Sequence, residues 1–82
     1  MPLYMDIHRN LDATVEDVEA AHELDLDKQE EHEVAYKKFW VDEGTGTVFC
    51  LFEAPSAEAG ECVHAEAHGL TADEIFEVVE RE

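Results

Sequence analysis

Apolar and polar residues alternate at the start of the chain. Leu3, Met5 and Ile7 fall on one side and Tyr4, Asp6 and His8 on the other, the period-two pattern of a strand. The period lengthens after Asp12. Thr14 and Asp17 have the spacing of a capping box, with Asp where Glu is usual. Val15, Val18, His22, Leu26 and Gln29 then recur every three or four residues, which predicts a helix to about residue 31 with these as its inward stripe. Alternation returns over residues 34–41, with Ala35, Phe39 and Val41 opposed to Tyr36 and Trp40. The segment from Asp42 to Gly46 is a hairpin turn with two glycines able to take positive φ. Residues 47–53 form a third strand, and the unbroken run Val48, Phe49, Cys50, Leu51, Phe52 reads as buried on both faces. Pro55 breaks it. Ser56 is placed to cap a second helix running to about His68, and Gly69 stands where a left-handed C-terminal residue belongs. Thr71 and Glu74 have capping spacing and predict one further helical turn before a last strand over residues 75–79.

The order is βαββαβ. Two βαβ units give an α+β, ferredoxin-like fold: a four-stranded antiparallel sheet with both helices on one face, in one domain spanning residues 1–82. The third strand, apolar on both sides, belongs at the centre. The second carries Lys37 and Lys38, and edge lysines discourage further strand pairing. Leu3, Met5 and Ile7 suit the helix side, which leaves Tyr4, Asp6, His8, Tyr36 and Trp40 on the open face. Exposed aromatics of that kind mark an interface, so a homodimer is expected, its sheets packed face to face or edge to edge.

Composition narrows the partners. Asp and Glu number 22 against five Lys and Arg, for a net charge of −17. Phosphate neutralisation needs cationic side chains, so nucleic acid and anionic membrane are excluded as partners. The acidic residues are scattered along the chain, which favours a solvated acidic coat, as in proteins of salt-rich cytoplasm, over a dedicated cation sink. No apolar run approaches the ~20 residues of a membrane span, and the N-terminus has no secretory pattern. A cytoplasmic location is the expectation. Cys50 and Cys62 are too few for a disulfide scaffold and are expected as free thiols, buried Cys50 acting as a small hydrophobe.

The candidate chemistry lies in the histidines. Asp6 and His8 are two apart on a strand and point the same way. A carboxylate with an imidazole suits Zn, Ni, Fe or Cu, while the same pair could equally be inert and hydrogen-bonded. His22 sits on the inward stripe of the first helix, as a core histidine or a ligand, with Asp25 one turn on as its partner. His64 and His68 are four apart on the second helix and share a face. Glu66 lies midway between them instead of directly after the first, so the general-base geometry of the zinc metalloproteases is lacking. His68 also has an ordinary explanation as a residue at a helix C-terminus. The single serine, Ser56, is committed to capping, and there is no phosphate-binding glycine loop.

The stretches "YMDIHR", "AHELDL", "FWVDEGTGTVFCLFEAPSAE" and "VHAEAHGLTADEI" together resemble a family of small nickel-binding, nickel-responsive proteins, catalogued as a domain of unknown function. The resemblance implies a dimer of ferredoxin-like fold. Carried over by position, it points to Asp6, His8, His22, His64 and His68 as metal ligands, with Arg9 standing where relatives carry a second histidine. It implies a non-enzymatic protein that sequesters or senses a divalent metal ion, Ni2+ first, with Zn2+, Co2+ or Cu2+ compatible with the same ligands. Affinity is expected to fall below about pH 6.5, where imidazole protonates. The alternative is a small dimeric enzyme of the monooxygenase or isomerase type, holding substrate between sheet and helices beside His22 and His64.

Overall fold

The alternating and helical segments build the expected elements in the computed structural model, which describes residues 1–82. β1 (Leu3–His8) is followed by α1 (Val15–Lys28), β2 (Ala35–Asp42), β3 (Thr47–Glu53), α2 (Ala57–Ala67) and β4 (Glu74–Val78). The strands pair antiparallel in the order β2-β3-β1-β4. β3 is therefore central and β2 an edge, as the apolar run and the lysine pair predicted. No helix is long and apolar enough to cross a membrane.

Local chemistry accounts for the helix ends. Thr14 Oγ1 accepts from the Asp17 N–H at 3.2 Å while Asp17 Oδ2 accepts from the Thr14 N–H at 3.0 Å, a reciprocal capping box. Ser56 Oγ caps α2 through the Ala59 N–H. Gly69 takes φ +80° and its N–H reaches back to the His64 carbonyl, the predicted left-handed stop. α1 ends three residues before the predicted point: residues 29–32 tighten into a 3-10 turn, and Glu33 at φ +59° turns the chain out. Thr71 and Glu74 cap no helical turn. Residues 71–73 are irregular and Glu74 opens β4.

The two faces of the sheet are where the sequence expectation fails. Tyr4, Asp6 and His8 are buried under the helices, and Leu3, Met5 and Ile7 lie on the open face. Hydrophobicity alone misassigns them because Asp6 and His8 find ionic partners under α2, which removes the penalty of burying them. Leu3 and Met5 meanwhile lie beside Leu51, Trp40 and Val78 on the other side. Tyr36 is also inside, 7 % exposed. The ladder between β2 and β3 slips between Tyr36 and Lys38, and a bulge of one residue flips side-chain parity. Tyr36 thus joins Phe39 and Val41 against the core, while Trp40 stays outside at 47 % exposure. The inward stripe of α1 shifts in the same manner. Val18 and Asp25 are buried and Ala21 and His22 half-buried, whereas Val15 and Leu26 are exposed.

The core gathers Tyr4, Val18, Tyr36, Val48, Phe52 and Val63. Phe52 is wholly buried and stacks on Tyr4 with centroids 5.4 Å apart. Gly60 lets α2 settle on that ring: a Cβ there would stand 2.4 Å from Phe52 Cε2. The same close approach allows the Tyr36 hydroxyl to donate to the Gly60 carbonyl at 2.9 Å.

Candidate metal centre

β1 and β3 bring Asp6 and Cys50 into register as direct cross-strand neighbours. His8 projects to the same inner face two residues on from Asp6. α2 crosses above and lowers His64 into the gap, where it is 1 % exposed. The donor atoms of Asp6, His8, Cys50 and His64 all lie within 4.8 Å of one another. Bonds of roughly 2.0–2.3 Å place two ligands of one ion no more than about 4.6 Å apart, so these donors stand close to chelating separation.

His64 is the hub. Its Nε2 lies 2.8 Å from Asp6 Oδ2 and its Nδ1 2.9 Å from Asp25 Oδ1. Both neighbours are acceptors, so both ring nitrogens donate and the ring is an imidazolium in the metal-free protein. Burial alone would lower its pKa, but the hydrogen bonds to Asp25 and Asp6 outweigh burial and push it up to about 11. His8 Nε2 is 3.2 Å from Asp6 Oδ1. There too burial is overcome, by Asp6 and then Cys50, and the pKa rises to about 9. Burial would raise the pKa of Asp6 and Asp25, yet their imidazole partners hold both carboxyls below the usual range. Asp6 Oδ1 is fully enclosed and accepts no well-formed hydrogen bond; the charge that faces it is the His8 ring at 3.2 Å. The Tyr36 ring lies against His64, centroids 5.0 Å apart, and burial keeps its hydroxyl protonated.

Asp25 ties in the C-terminal histidine. Its Oδ1 also lies 3.0 Å from His68 Nε2. His68 Nδ1 accepts from the Leu70 N–H, so the ring proton sits on Nε2 and points at Asp25. The donor atoms of Asp25, His64 and His68 form a second group that shares His64 with the first.

Of the five sequence candidates, Asp6, His8 and His64 come together and His68 joins them through Asp25. His22 stands apart, packed on Phe39 at 4.9 Å between centroids and edge-on to Tyr36. Asp25 does not pair with His22 as the sequence suggested; it turns to α2. By sequence, Cys50 reads as a small hydrophobe and Asp25 as a partner of His22, and neither as part of a metal group. Asp25 is a carboxylate seven residues from Val18 on the helix's buried stripe, and Cys50 alternates with Val48 and Phe52 on the inner face of β3. Those positions were the available signals. Arg9 ion-pairs with Glu74 beyond the end of the group, and its N–H donates to Asp73. Glu66 points away from the pair, as its offset implied, and meets His32 Nε2 at 2.7 Å.

A cavity of about 300 Å³ opens between the sheet and α1, with His8, Cys50, His64 and His22 on its surface.

Comparison with known proteins places these residues in context. The family described as "Nickel responsive protein SCO4226-like" matches residues 4–78. The crystal structure of SCO4226 from Streptomyces coelicolor A3(2) is similar over 98 % of this chain and 99 % of its own, at 40 % identity and a TM-score of 0.90. No curated protein sequence matches the chain.

Proposed function

The chain belongs to the SCO4226-like family of nickel-responsive proteins, and from that membership we propose that it binds a divalent transition-metal ion, nickel first, to sequester or sense it. Asp6, His8, Cys50 and His64 would hold the ion. The observation that carries this is Asp6 Oδ1, a buried carboxylate oxygen that faces the His8 ring at 3.2 Å without a well-formed hydrogen bond, set among two imidazoles and a thiol. In the metal-free protein the positive charge of the His8 ring offsets this oxygen; when His8 gives up its proton to ligate, the bound cation would take over that role. Mixed imidazole, thiol and carboxylate donors suit Ni, Zn, Co or Cu and not Mg or Ca. Asp25 would hold His64 by Nδ1 while Nε2 turns to the ion, the carboxylate–histidine arrangement that orients metal ligands. His22 and His68 would not ligate in this group. Burial of the donors suits retention of the ion more than rapid exchange.

The open sheet face supports a homodimer as part of the same proposal. It carries Leu3, Met5, Leu51, Trp40 and Val78, with Phe76 49 % exposed, and a patch of this kind marks an interface.

The deciding experiment is calorimetric titration of chelator-stripped protein with Ni2+, Zn2+, Co2+ and Cu2+. Saturable binding is expected, weakened at least ten-fold by His8→Ala and by Cys50→Ser and unchanged by His22→Ala. Binding that ignores the first two changes would refute the assignment. The cavity favours a second proposal, an enzyme whose substrate lies beside His22 and His64, for which small-molecule binding would need no metal.

A further inference from the structure

We propose that the cavity beside the metal-binding group seats an organic co-ligand of the bound ion: a small, neutral, heteroaromatic nitrogen donor. The inference rests on the metal assignment above and adds the second partner. The cavity's volume of about 300 Å³ equals that of roughly ten liquid waters, more than an ion and its residual hydration require. His8, Cys50 and His64 line it, so a coordination position open to exchange would face this space. Its other walls are Leu11, Ala13, Val18, Ala21, Phe39 and Val48. Such walls contribute nothing to a hydrated cation, but they favour an apolar body.

Two observations narrow the class. His22, which belongs to no ligand group, and Phe39 both line the cavity, their rings tilted 47° to one another, so a flat guest would meet an aromatic wall there. Asp12, Asp17 and Asp25 line the cavity and no Lys or Arg does, in a chain of net charge −17; with the ion bound, His8 and His64 have given up the protons that made them cationic. Carboxylate or thiolate heads would be repelled there, which leaves a neutral nitrogen donor.

The test uses the full chain loaded with Ni2+ and two probes, imidazole and 4-phenylimidazole, followed by calorimetry and the visible Ni2+ absorption band. Phenylimidazole is expected to bind at least ten-fold more tightly than imidazole and to shift the band. Ala21→Phe, which fills the cavity from α1, should abolish that preference while Ni2+ affinity stays within three-fold. Ala13→Leu, on another wall, should do the same and serves if Ala21→Phe does not fold by circular dichroism. Equal affinity for the two probes, a preference untouched by both variants, or equal binding of phenylimidazole to metal-free protein would overturn the inference. Absence of Ni2+ uptake before any probe is added would instead strike at the metal assignment itself.

Discussion

Metal uptake at this site should be strongly coupled to proton release. In the metal-free protein His8 and His64 are both held as imidazolium, with pKa values pushed up to about 9 and about 11. A ligating imidazole must give up its proton. Displacing a proton from a group above the working pH costs about 1.36 kcal/mol per pH unit. At pH 7.5 this is about 2 kcal/mol for His8 and about 5 kcal/mol for His64. The apparent affinity should therefore keep rising with pH well above 6.5, where an ordinary histidine site would level off. With two imidazolium protons displaced, the dissociation constant should fall about 100-fold per pH unit up to about pH 9. The Cys50 thiol would release a third proton if it binds as thiolate. The assay is calorimetry in buffers of different ionisation enthalpy, which counts protons directly, repeated from pH 6 to pH 9. Between two and three protons per ion are expected at pH 7.5, one fewer in His8→Ala. Affinity flat above pH 7, with release of less than one proton, would refute the picture of two imidazolium rings clamped by Asp6 and Asp25.

Other perturbations test the supporting structure. His64→Ala removes the partner that Asp6 and Asp25 share, leaving them only His8 and His68, and should cost about 3–5 kcal/mol in urea unfolding of the metal-free protein, whereas half-exposed Glu66 changed to Gln should stay within about 0.5 kcal/mol. Gly60→Ala drives a methyl into the Phe52 ring, so a loss of about 1–3 kcal/mol in thermal unfolding is expected, with Ni2+ stoichiometry retained by whatever fraction folds. Trp40→Glu places a charge on the open apolar face and should shift sedimentation toward the monomer without altering metal affinity; an unchanged sedimentation coefficient would move the interface elsewhere.

Element order, the central position of β3 and the β2 edge were legible from periodicity, and three of the four residues of the proposed metal group, Asp6, His8 and His64, were candidates by residue type and spacing. Capping residues such as Thr14, Ser56 and Gly69 act through their nearest neighbours, so their effect is local and readable. Face assignment was not legible, because it depends on partners distant along the chain. Asp6 and His8 look like surface residues until His64, 58 residues from Asp6, is placed above them. The bulge at Tyr36 and Lys38 leaves no trace in a sequence that otherwise alternates, and it alone moves Tyr36 to the inside. Cys50 is chemically indistinct from a small apolar residue in β3 until pairing sets it opposite Asp6. His22 shows the converse: it has the right residue type on nearly the right stripe, but Phe39 and Tyr36 occupy its ring.

The span between Asp6 and His64 has a consequence for synthesis in the cell. A chain still emerging from the ribosome has β1 long before it has α2, and until then Asp6 and His8 are two polar residues on an unfinished strand. Under the proposed assignment, no early fragment would hold the full ligand set. Loading would then follow folding, and an ion once bound would act as a latch: opening the sheet at β1 would tear the ion from the helix above it.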